Sequence, residues 1–291
     1  MRILILGRDG QLGRALAALD WGSAQVESAG RAQADLATPA AANLVLRLRP
    51  DAVINAAAWT DVEGAESARD AAFRVNAQAP GELARACAQV GAWLVHYSTD
   101  YVFDGAKPGA YGEGDAPHPI NIYGASKLAG EAAIAQAGGA HLILRTSWVY
   151  SADGDNFLTR VIARARAAGS APLPVVDDQV GAPTWTLTLA EATRMALRRC
   201  VDGAGGRELS GLYHLTPGGR CSWFEYARAA FDLLGIEREI APVSAAAFAA
   251  RARRPANSAL DASRFATVFG WARPHWRDEL RRCLASPPQS R

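Results

Sequence analysis

Cysteine is scarce in this chain of 291 residues. The four cysteines, Cys87, Cys200, Cys221 and Cys283, lie far apart and form no C-x-x-C pair. This spacing argues against a disulfide framework and against a cysteine-based zinc site, so we expect reduced thiols in a cytoplasmic protein. No cluster of His or carboxylate residues has metal-ligand spacing either, and the sequence predicts no metal site.

Long hydrophobic runs and clustered charges are also absent. No stretch of the sequence reaches the roughly 20 apolar residues of a membrane span, and the apolar run 2–6 is too short for the core of a signal peptide. The net charge is only +2, and the Lys and Arg residues are scattered. We therefore expect no membrane anchor and no nucleic-acid partner, whereas a small anionic ligand stays compatible with the sequence.

Strand and helix patterns alternate along the first half of the chain. Short apolar runs with β-branched residues predict strands, and amphipathic segments between them predict helices. The predicted strands are 2–6, 25–29, 52–55, 93–97 and 141–145, and the predicted helices are 11–19, 40–48, 63–75, 78–90 and 123–136. This alternation favours an α/β fold in which residues 1–150 form a Rossmann-type, doubly wound parallel sheet.

The alternation of predicted strands and helices becomes less regular beyond residue 150. Helices are predicted at 157–168, 187–199 and 223–234, a Pro-rich strand region at 171–176, and a helix or loop at 244–254. Loops rich in Gly, Pro and Asp suit a smaller C-terminal α/β lobe that encloses a ligand. Because no linker separates the two parts, we expect residues 151–291 to be mainly a substrate-binding lobe, interleaved with the first domain.

A glycine-rich segment, Gly7-Arg8-Asp9-Gly10-Gln11-Leu12-Gly13, joins the first predicted strand to the first predicted helix. In such a turn the first glycine permits the tight bend, the second admits a pyrophosphate and the third lets helix and strand pack closely. The free N–H groups at the helix start favour phosphate. The segment predicts an NAD(P) site in residues 1–150, with cofactor contacts from Gly7, Gly10, Gln11, Leu12 and Gly13.

The second predicted strand ends in Gly30-Arg31, with no acidic residue at its tip. An acid at this place binds the ribose hydroxyls of NADH, whereas an arginine accommodates the 2′-phosphate of NADPH. Arg31 therefore favours NADPH, the alternative being a solvated loop residue. Asp35 and Leu36 follow, where a carboxylate and a backbone segment can bracket the adenine.

Tyr123 and Lys127 stand four residues apart at the start of a predicted helix, so that both side chains face the same way. A tyrosine with a pKa of about 10 is a poor acid–base catalyst at neutral pH, and a nearby cation lowers that pKa. We expect Lys127 to lower it while also holding ribose hydroxyls of the cofactor; the alternative is an exposed helix start. Thr99 follows the strand 93–97, at the sheet edge where ligands bind.

These features together resemble the extended short-chain dehydrogenase/reductase family: the glycine segment, Asn55-Ala56-Ala57-Ala58, Ser98-Thr99, and the pair Tyr123 and Lys127. The resemblance implies that Thr99 hydrogen-bonds a substrate carbonyl, that Tyr123 supplies a proton, and that hydride comes from C4 of the nicotinamide of NADPH or NADH. It also implies a catalytic position for Asp100. The further cofactor contacts that it implies are Ala56, Ala57, Ala58, Thr60, Tyr123 and Lys127.

Five longer segments narrow the resemblance to one branch of that family. They are 55–63, 96–105, 145–150, 177–184 and 253–258. The branch implies NAD(P)H-dependent reduction of the C4 keto group of dTDP-4-dehydro-L-rhamnose to dTDP-L-rhamnose, which supplies cell-surface polysaccharide. The substrate contacts that it implies are Thr60, Thr99, Asp100, Tyr101, Phe103, Tyr123, Trp148, Arg253, Arg254 and Asn257.

Several alternatives stay open at this point. Tyr101 stands where the 4,6-dehydratases of the family carry a glutamate, so elimination is not expected. Another nucleotide-sugar 4-ketoreductase, a 4-epimerase and a non-catalytic regulatory subunit fit the same fold. Trp148 by itself also suits core packing, and Arg253 and Arg254 also suit a solvated basic surface.

The segment Gly13-Arg14-Ala15-Leu16 departs from the family pattern. Some family members carry an acidic residue here that helps to bind magnesium at a dimer interface, and this chain has none. Magnesium-bridged dimerisation is therefore not expected, and the chain is either a monomer or a homodimer.

Overall fold

A parallel sheet of six strands lies at the centre of the computed structural model, which describes residues 1–167, 169, 171–202 and 206–286. The strands, in chain order, are β1 (Arg2–Leu6), β2 (Gln25–Ala29), β3 (Ala52–Asn55), β4 (Trp93–Thr99), β5 (His141–Thr146), β6 (Val149–Tyr150), β7 (Leu173–Val176), β8 (Val180–Gly181), β9 (Thr184–Trp185), β10 (Gly211–His214), β11 (Cys221–Ser222) and β12 (Ile240–Val243). The large sheet has the order β10-β5-β4-β3-β1-β2, and the Rossmann-type parallel fold predicted from the sequence is confirmed.

The strand order reverses beside β1. The chain runs from β1 to β2 on one side and then crosses to β3 on the other, where Leu6 pairs with Asn55. Ligands of open α/β sheets bind beyond the carboxyl ends of the strands at such a reversal. The carboxyl ends of β1 and β3 therefore mark the expected ligand site.

Helices cover both faces of the sheet. In chain order the helices are α1 (Gln11–Ala18), α2 (Ala40–Leu48), α3 (Val62–Ser67), α4 (Arg69–Phe73), α5 (Ala79–Val90), α6 (Ile122–Gln136), α7 (Phe157–Arg166), α8 (Thr186–Asp202), α9 (Trp223–Leu234), α10 (Ser263–Phe269) and α11 (Trp276–Ala285). Ile3 and Ile5 of β1 pack with α1, α8 and α10, whereas Leu4 and Leu6 pack with α2 and α5. Because successive strand side chains alternate between faces, the apolar run of β1 supplies both cores.

One wide turn separates α4 from α5. Residues Arg74–Gln78 form a π-helical segment, so that helical structure runs without a break from Arg69 to Val90. Asn76, in this segment, is completely buried. Its side chain accepts a hydrogen bond from the N–H of Trp59 at 2.9 Å and donates to Oγ of Ser126 at 3.0 Å. The wide turn thus joins the loop after β3 to helix α6.

The second lobe combines short strand pairs with three helices. β6 pairs with β9 and β7 with β12 in parallel, while β8 and β11 are antiparallel. Its hydrophobic core joins α7, α9 and α11, with Tyr150, Tyr226 and Trp276 fully buried in it. Residues beyond 150 also return to the large sheet, because β10 pairs with β5 and α8 and α10 pack beneath it. Residues after 150 therefore contribute both to the second lobe and to the large sheet. The assignment of cofactor binding to residues 1–150 and of substrate binding to residues 151–291 stays a prediction.

Several elements differ from their predicted bounds. The predicted helix 63–75 consists of α3, α4 and the beginning of the π-helical segment, and in 244–254 only a 3₁₀ turn forms, at Ala245–Ala247. The elements that were not predicted are β6, β8, β9, β10, β11, β12, α10 and α11. Helix α7 ends at Arg166, and residue 168, the predicted end, lies outside the described residues. Within the described ranges no helix is long and apolar enough to span a bilayer.

Candidate active site

A cleft of about 790 Å³ opens at the carboxyl edge of the large sheet. Its walls come from the turn after β1, the segments after β2 and β3, the end of β4, the start of α6 and, from the second lobe, Trp148 and Trp223. Most of the residues predicted to bind a cofactor or a substrate therefore face one cavity.

The glycine turn forms one end of the cleft. Gly7 has a φ of 83°, a left-handed conformation that favours glycine. A Cβ on Gly13 would lie 2.0 Å from the carbonyl oxygen of Gly7, so the third glycine lets the helix start pack onto the turn. Gly10, the first flanking residue of α1, has no side chain to cap the helix N–H groups, which leaves them available to an anion. Gln11 and Leu12 follow it on the cleft wall. The turn fits the pyrophosphate of a dinucleotide.

Gln11 also ties the turn to the second lobe. Its Oε1 accepts hydrogen bonds from Oγ of Ser151 at 2.7 Å and from Nδ2 of Asn156 at 2.8 Å. Arg14 lies beside it, 3.4 Å from Asp153, and donates to the carbonyl oxygen of Asp9 at 2.9 Å. The cofactor end of the cleft therefore touches the loop that leads into α7.

The segment after β2 lines the adenosine end of the cleft. Arg31 is exposed there, and Leu36 is buried. Asp35 also lines the cleft, but its Oδ1 accepts the N–H of Ala37 at 2.9 Å and so stabilises its own turn. The structure thus brings Arg31, Asp35 and Leu36 together with the glycine turn.

The turn after β3 lies against the glycine turn. A Cβ on Gly7 would lie 2.7 Å from the backbone nitrogen of Ala57. Oδ1 of the buried Asn55 accepts the N–H of Ala57 at 3.2 Å, which holds Ala56, Ala57 and Ala58 along the cleft wall. Thr60 is exposed at the end of this wall.

The end of β4 supplies a hydroxyl and a carboxyl group to the cleft. Oγ1 of Thr99 donates to Oδ1 of Asp100 at 3.1 Å and accepts the N–H of Tyr101 at 3.1 Å. Burial raises the pKa of Asp100 to about 7, although hydroxyls of Ser258 and Thr99 act against this rise. The carboxyl group of Asp100 therefore changes its protonation near neutral pH.

Tyr123 and Lys127 lie in the cleft wall because of how α6 begins. Oδ1 of Asn121 accepts the N–H of Gly124 at 2.7 Å, which starts the helix just before Tyr123. The Tyr123 ring lies edge-on to that of Tyr101, with centroids 6.0 Å apart. The two predicted catalytic side chains and Thr99 thus line the same cavity.

The charge relationship between Tyr123 and Lys127 differs from the prediction. Nζ of Lys127 donates to the carbonyl oxygen of Tyr97 at 2.6 Å, and burial lowers the pKa of Lys127 to about 8. Burial raises the pKa of Tyr123 to about 12, and the nearby Thr99 hydroxyl acts against that rise. Lys127 is not among the groups that shift the pKa of Tyr123, so the expected lowering by the cation is not found, and burial raises that pKa instead. A phenol that stays protonated at neutral pH remains suited to donate a proton.

His96 is a residue near the cleft that the sequence reasoning missed. It is buried in β4, with Nδ1 3.0 Å from Nδ2 of Asn55 and Nε2 3.2 Å from Nζ of Lys127. Burial, and then the charge of Lys127, hold the pKa of His96 well below its ordinary value. A row of buried polar side chains, Lys127, His96 and Asn55, thus links helix α6 to the turn after β3. Its sequence signal was a histidine inside an otherwise apolar strand.

Two stacked tryptophans form the wall at the second lobe. The rings of Trp148 and Trp223 are 3.5 Å apart and within 5° of parallel. Trp148 has a φ of 47°, rare for a large side chain, and its indole packs on Gly181, where a Cβ would lie 2.4 Å from the ring. Trp223 was not predicted, because an aromatic residue at a helix start also suits core packing.

Arg253 and Arg254 do not line the cleft, but Arg254 lies beside Tyr101, which does. Nη1 of Arg254 is 2.7 Å from Oε1 of Glu63, and its guanidinium faces the Tyr101 phenol. The other carboxylate oxygen of Glu63 accepts the N–H of Arg251 at 2.8 Å. Arg253 is exposed, and its carbonyl oxygen accepts Nδ2 of Asn121 at 2.8 Å.

Two further residues predicted to contact substrate also lie off the cleft wall. Phe103 is completely buried, stacked on Tyr111 with ring centroids 4.2 Å apart. Nδ2 of Asn257 donates to the carbonyl oxygens of Lys107 at 2.6 Å and Gly109 at 2.8 Å. These contacts give Phe103 and Asn257 places in the packing around the cleft rather than on its wall. In the described part of the chain no three His, Cys, Asp or Glu side chains gather as a metal site.

Comparison with known proteins identifies the family. Residues 1–287 match the model described as RmlD substrate binding domain. The dTDP-4-dehydrorhamnose reductase of Burkholderia thailandensis is 42% identical, over 98% of each chain, and that of Escherichia coli K12 is 38% identical, over 98% of this chain and 97% of that protein. The crystal structure of the Bacillus anthracis dTDP-4-dehydrorhamnose reductase in complex with NADP has a TM-score of 0.88 at 34% identity, over 97% of this chain and 98% of that one.

A more distant neighbour shares the fold. The Thermus thermophilus UDP-glucose 4-epimerase complex with NAD has a TM-score of 0.80 at 21% identity, over 98% of each chain. At that identity the likeness concerns the fold alone. The resemblance to the extended short-chain dehydrogenase/reductases is confirmed, and this chain belongs to the dTDP-4-dehydrorhamnose reductase family.

Proposed function

We propose that this protein reduces the C4 keto group of dTDP-4-dehydro-L-rhamnose to give dTDP-L-rhamnose, with NADPH or NADH as the reductant. The product is a nucleotide sugar of cell-surface polysaccharide synthesis. The observation that carries the proposal is that Thr99, Tyr123 and Lys127 face the same cleft as the glycine turn. Relatives that align over 98% of this chain are named for that reaction.

The dinucleotide is assigned to the end of the cleft at the glycine turn. Its pyrophosphate fits the N–H groups at the start of α1, between Gly7, Gly10 and Gly13. Arg31, Asp35 and Leu36 take the adenosine, and Ala56 to Ala58 line the path towards Lys127. When bound, a reduced nicotinamide supplies the hydride that C4 of the sugar accepts.

Proton transfer is assigned to Tyr123. Its phenol is neutral at physiological pH and lies at the cleft surface, so it can donate a proton to the oxygen that develops at C4. Thr99 donates a hydrogen bond to the same oxygen when its hydroxyl turns away from Asp100. Lys127 holds ribose hydroxyls of the cofactor, and Asp100 governs the direction in which the Thr99 hydroxyl points.

The nucleotide sugar is assigned to the wall between the lobes. Tyr101, Thr60 and the Trp148 ring border the space beside Thr99. Arg254, held by Glu63, and the exposed Arg253 suit the diphosphate, since guanidinium groups bind phosphate oxygens in pairs. We place the reaction in the cytoplasm, catalysed by a monomer or a homodimer.

The test is a turnover assay with purified protein and freshly prepared dTDP-4-dehydro-L-rhamnose. Loss of reduced-nicotinamide absorbance in a one-to-one ratio with dTDP-L-rhamnose supports the proposal. An epimerase regenerates its cofactor and gives a new sugar without net oxidation, which contradicts it. If a different 4-keto nucleotide sugar is turned over faster, that sugar is the substrate. Cofactor binding without turnover of any such sugar favours the regulatory-subunit alternative.

A further inference from the structure

A carboxylate from the glycine turn covers the end of β2. The N–H groups of Gly7 and Arg8 both donate to the carbonyl oxygen of Ala29, at 2.9 and 3.3 Å, so the turn lies directly over that strand end. A Cβ on Gly30 would lie 2.1 Å from Oδ2 of Asp9. The missing side chain of Gly30 therefore provides the space that the Asp9 carboxylate occupies.

The carboxylate of Asp9 lies at the end of β2, where the strand has no acidic residue of its own. Asp35 uses its Oδ1 in the turn with Ala37, as described above. Asp9 lines the cleft together with Arg31, and its side chain is 71% exposed. Its contact with Nε of Arg8, at 3.4 Å, is long and exposed to solvent, so it leaves the carboxylate available to a ligand.

We propose that Asp9 determines the choice between NADH and NADPH. An acid at this strand end accepts hydrogen bonds from the adenosine ribose hydroxyls, and it repels a 2′-phosphate at the same place. Arg31 and Arg8 act in the opposite sense, because guanidinium groups attract that phosphate. Carboxylate and guanidinium groups at one strand end let the protein use both cofactors, with Asp9 setting the balance. The inference rests on the dinucleotide site of the proposed function.

The test compares the binding of NADH and NADPH to the parent protein and to Asp9→Asn. Asparagine keeps the size and one acceptor oxygen, but it removes the charge and replaces the second acceptor oxygen with a donor. We expect the Kd for NADPH to fall about tenfold and the Kd for NADH to rise severalfold, as for the loss of one hydrogen bond to a charged group. Titration calorimetry measures both values without turnover.

Two further variants complete the design. Glu27→Gln removes the same charge from an exposed position of β2 outside the cleft, and it leaves the ratio of the two Kd values unchanged. Arg31→Ala weakens NADPH and spares NADH. If Asp9→Asn binds both cofactors, keeps its turnover and shows an unchanged ratio of the two Kd values, the proposed role of Asp9 is wrong. The proposed function is unaffected by that result. Failure of the parent protein to bind either cofactor overturns the dinucleotide site and the proposed function with it.

Discussion

The ammonium group of Lys127 donates a 2.6 Å hydrogen bond to the carbonyl oxygen of Tyr97, one residue along β4 from His96. The lysine is thereby held by the strand that ends in Thr99, although it belongs to helix α6. Strand and helix are fixed to each other at the point where the predicted hydroxyl donor and the predicted proton donor face the cleft.

The role of Tyr123 as proton donor is tested by Tyr123→Phe, which removes the hydroxyl and keeps the ring. We expect kcat to fall by about two orders of magnitude or more, the usual contribution of general acid catalysis. The Kd for NADPH, measured by fluorescence quenching, should stay within about twofold. Near-normal turnover of the variant would assign the proton to another group.

The depressed pKa of Lys127 predicts a pH dependence of cofactor binding. As the pH rises through about 8 the side chain loses its proton, so the affinity for NADPH should decline in that range. Lys127→Arg keeps a charge throughout and should abolish this decline. Binding is the better readout than turnover, because Asp100 also titrates, with a pKa of about 7. The same decline in both proteins would show that another group causes it.

The stacked pair at the second lobe predicts an effect on substrate alone. Trp223→Ala removes the ring that supports Trp148, and an aromatic pair of this kind contributes roughly 0.5–1.5 kcal/mol. We expect the KM for the nucleotide sugar to rise up to about tenfold while the Kd for NADPH is unchanged. Trp223→Phe, which preserves stacking, should recover most of the loss. Equal losses in the two variants would argue against a stacking role.

Glu279 predicts a pH dependence of stability. It is completely buried in the second lobe, where burial raises its pKa from 4.5 to about 8. The folded state then binds the proton more tightly than the unfolded state. The contribution of this proton binding to the free energy of unfolding is complete below about pH 4.5 and is lost as the pH rises through about 8.

Glu279→Gln imitates the protonated form and tests this. Urea denaturation should show the parent protein losing at least about 1 kcal/mol of unfolding free energy, relative to the variant, from pH 5 to about pH 8. Thr188→Val, beside the same carboxyl group, is a useful control because it keeps the titrating acid. Parallel pH profiles for parent and Glu279→Gln would show that Glu279 does not titrate in this range.

Periodicity predicted the first five strands of the large sheet well. β1 and β3 are short apolar runs bounded by turn residues, and such runs suit strands that are buried on both faces. β10 escaped detection because Gly211–His214 is short and begins with glycine, so that its pairing with β5 is what makes it a strand. Local pattern does not contain that information.

The site residues that belong to a sequence motif were predictable. Properties that depend on tertiary packing were not. The glycine turn, Thr99, Tyr123 and Lys127 follow from spacing and position. Their protonation depends on burial, which the sequence does not give, and the pKa prediction for Tyr123 failed for this reason. Phe103 and Asn257 lie within segments that resemble the family. Their contacts with Tyr111 and Lys107 nevertheless place both side chains in the packing around the cleft.

The wide turn at Arg74–Gln78 sets the rotation of α5 about its own axis. An α-helix advances about 100° per residue, and a π-type turn accommodates one extra residue. Shortening this segment by one residue would swing Leu83 and Cys87, which now pack on the sheet, about a quarter-turn towards solvent. It would also pull Asn76 from its partners at Trp59 and Ser126. The length of the segment is therefore as constrained as any of its side chains.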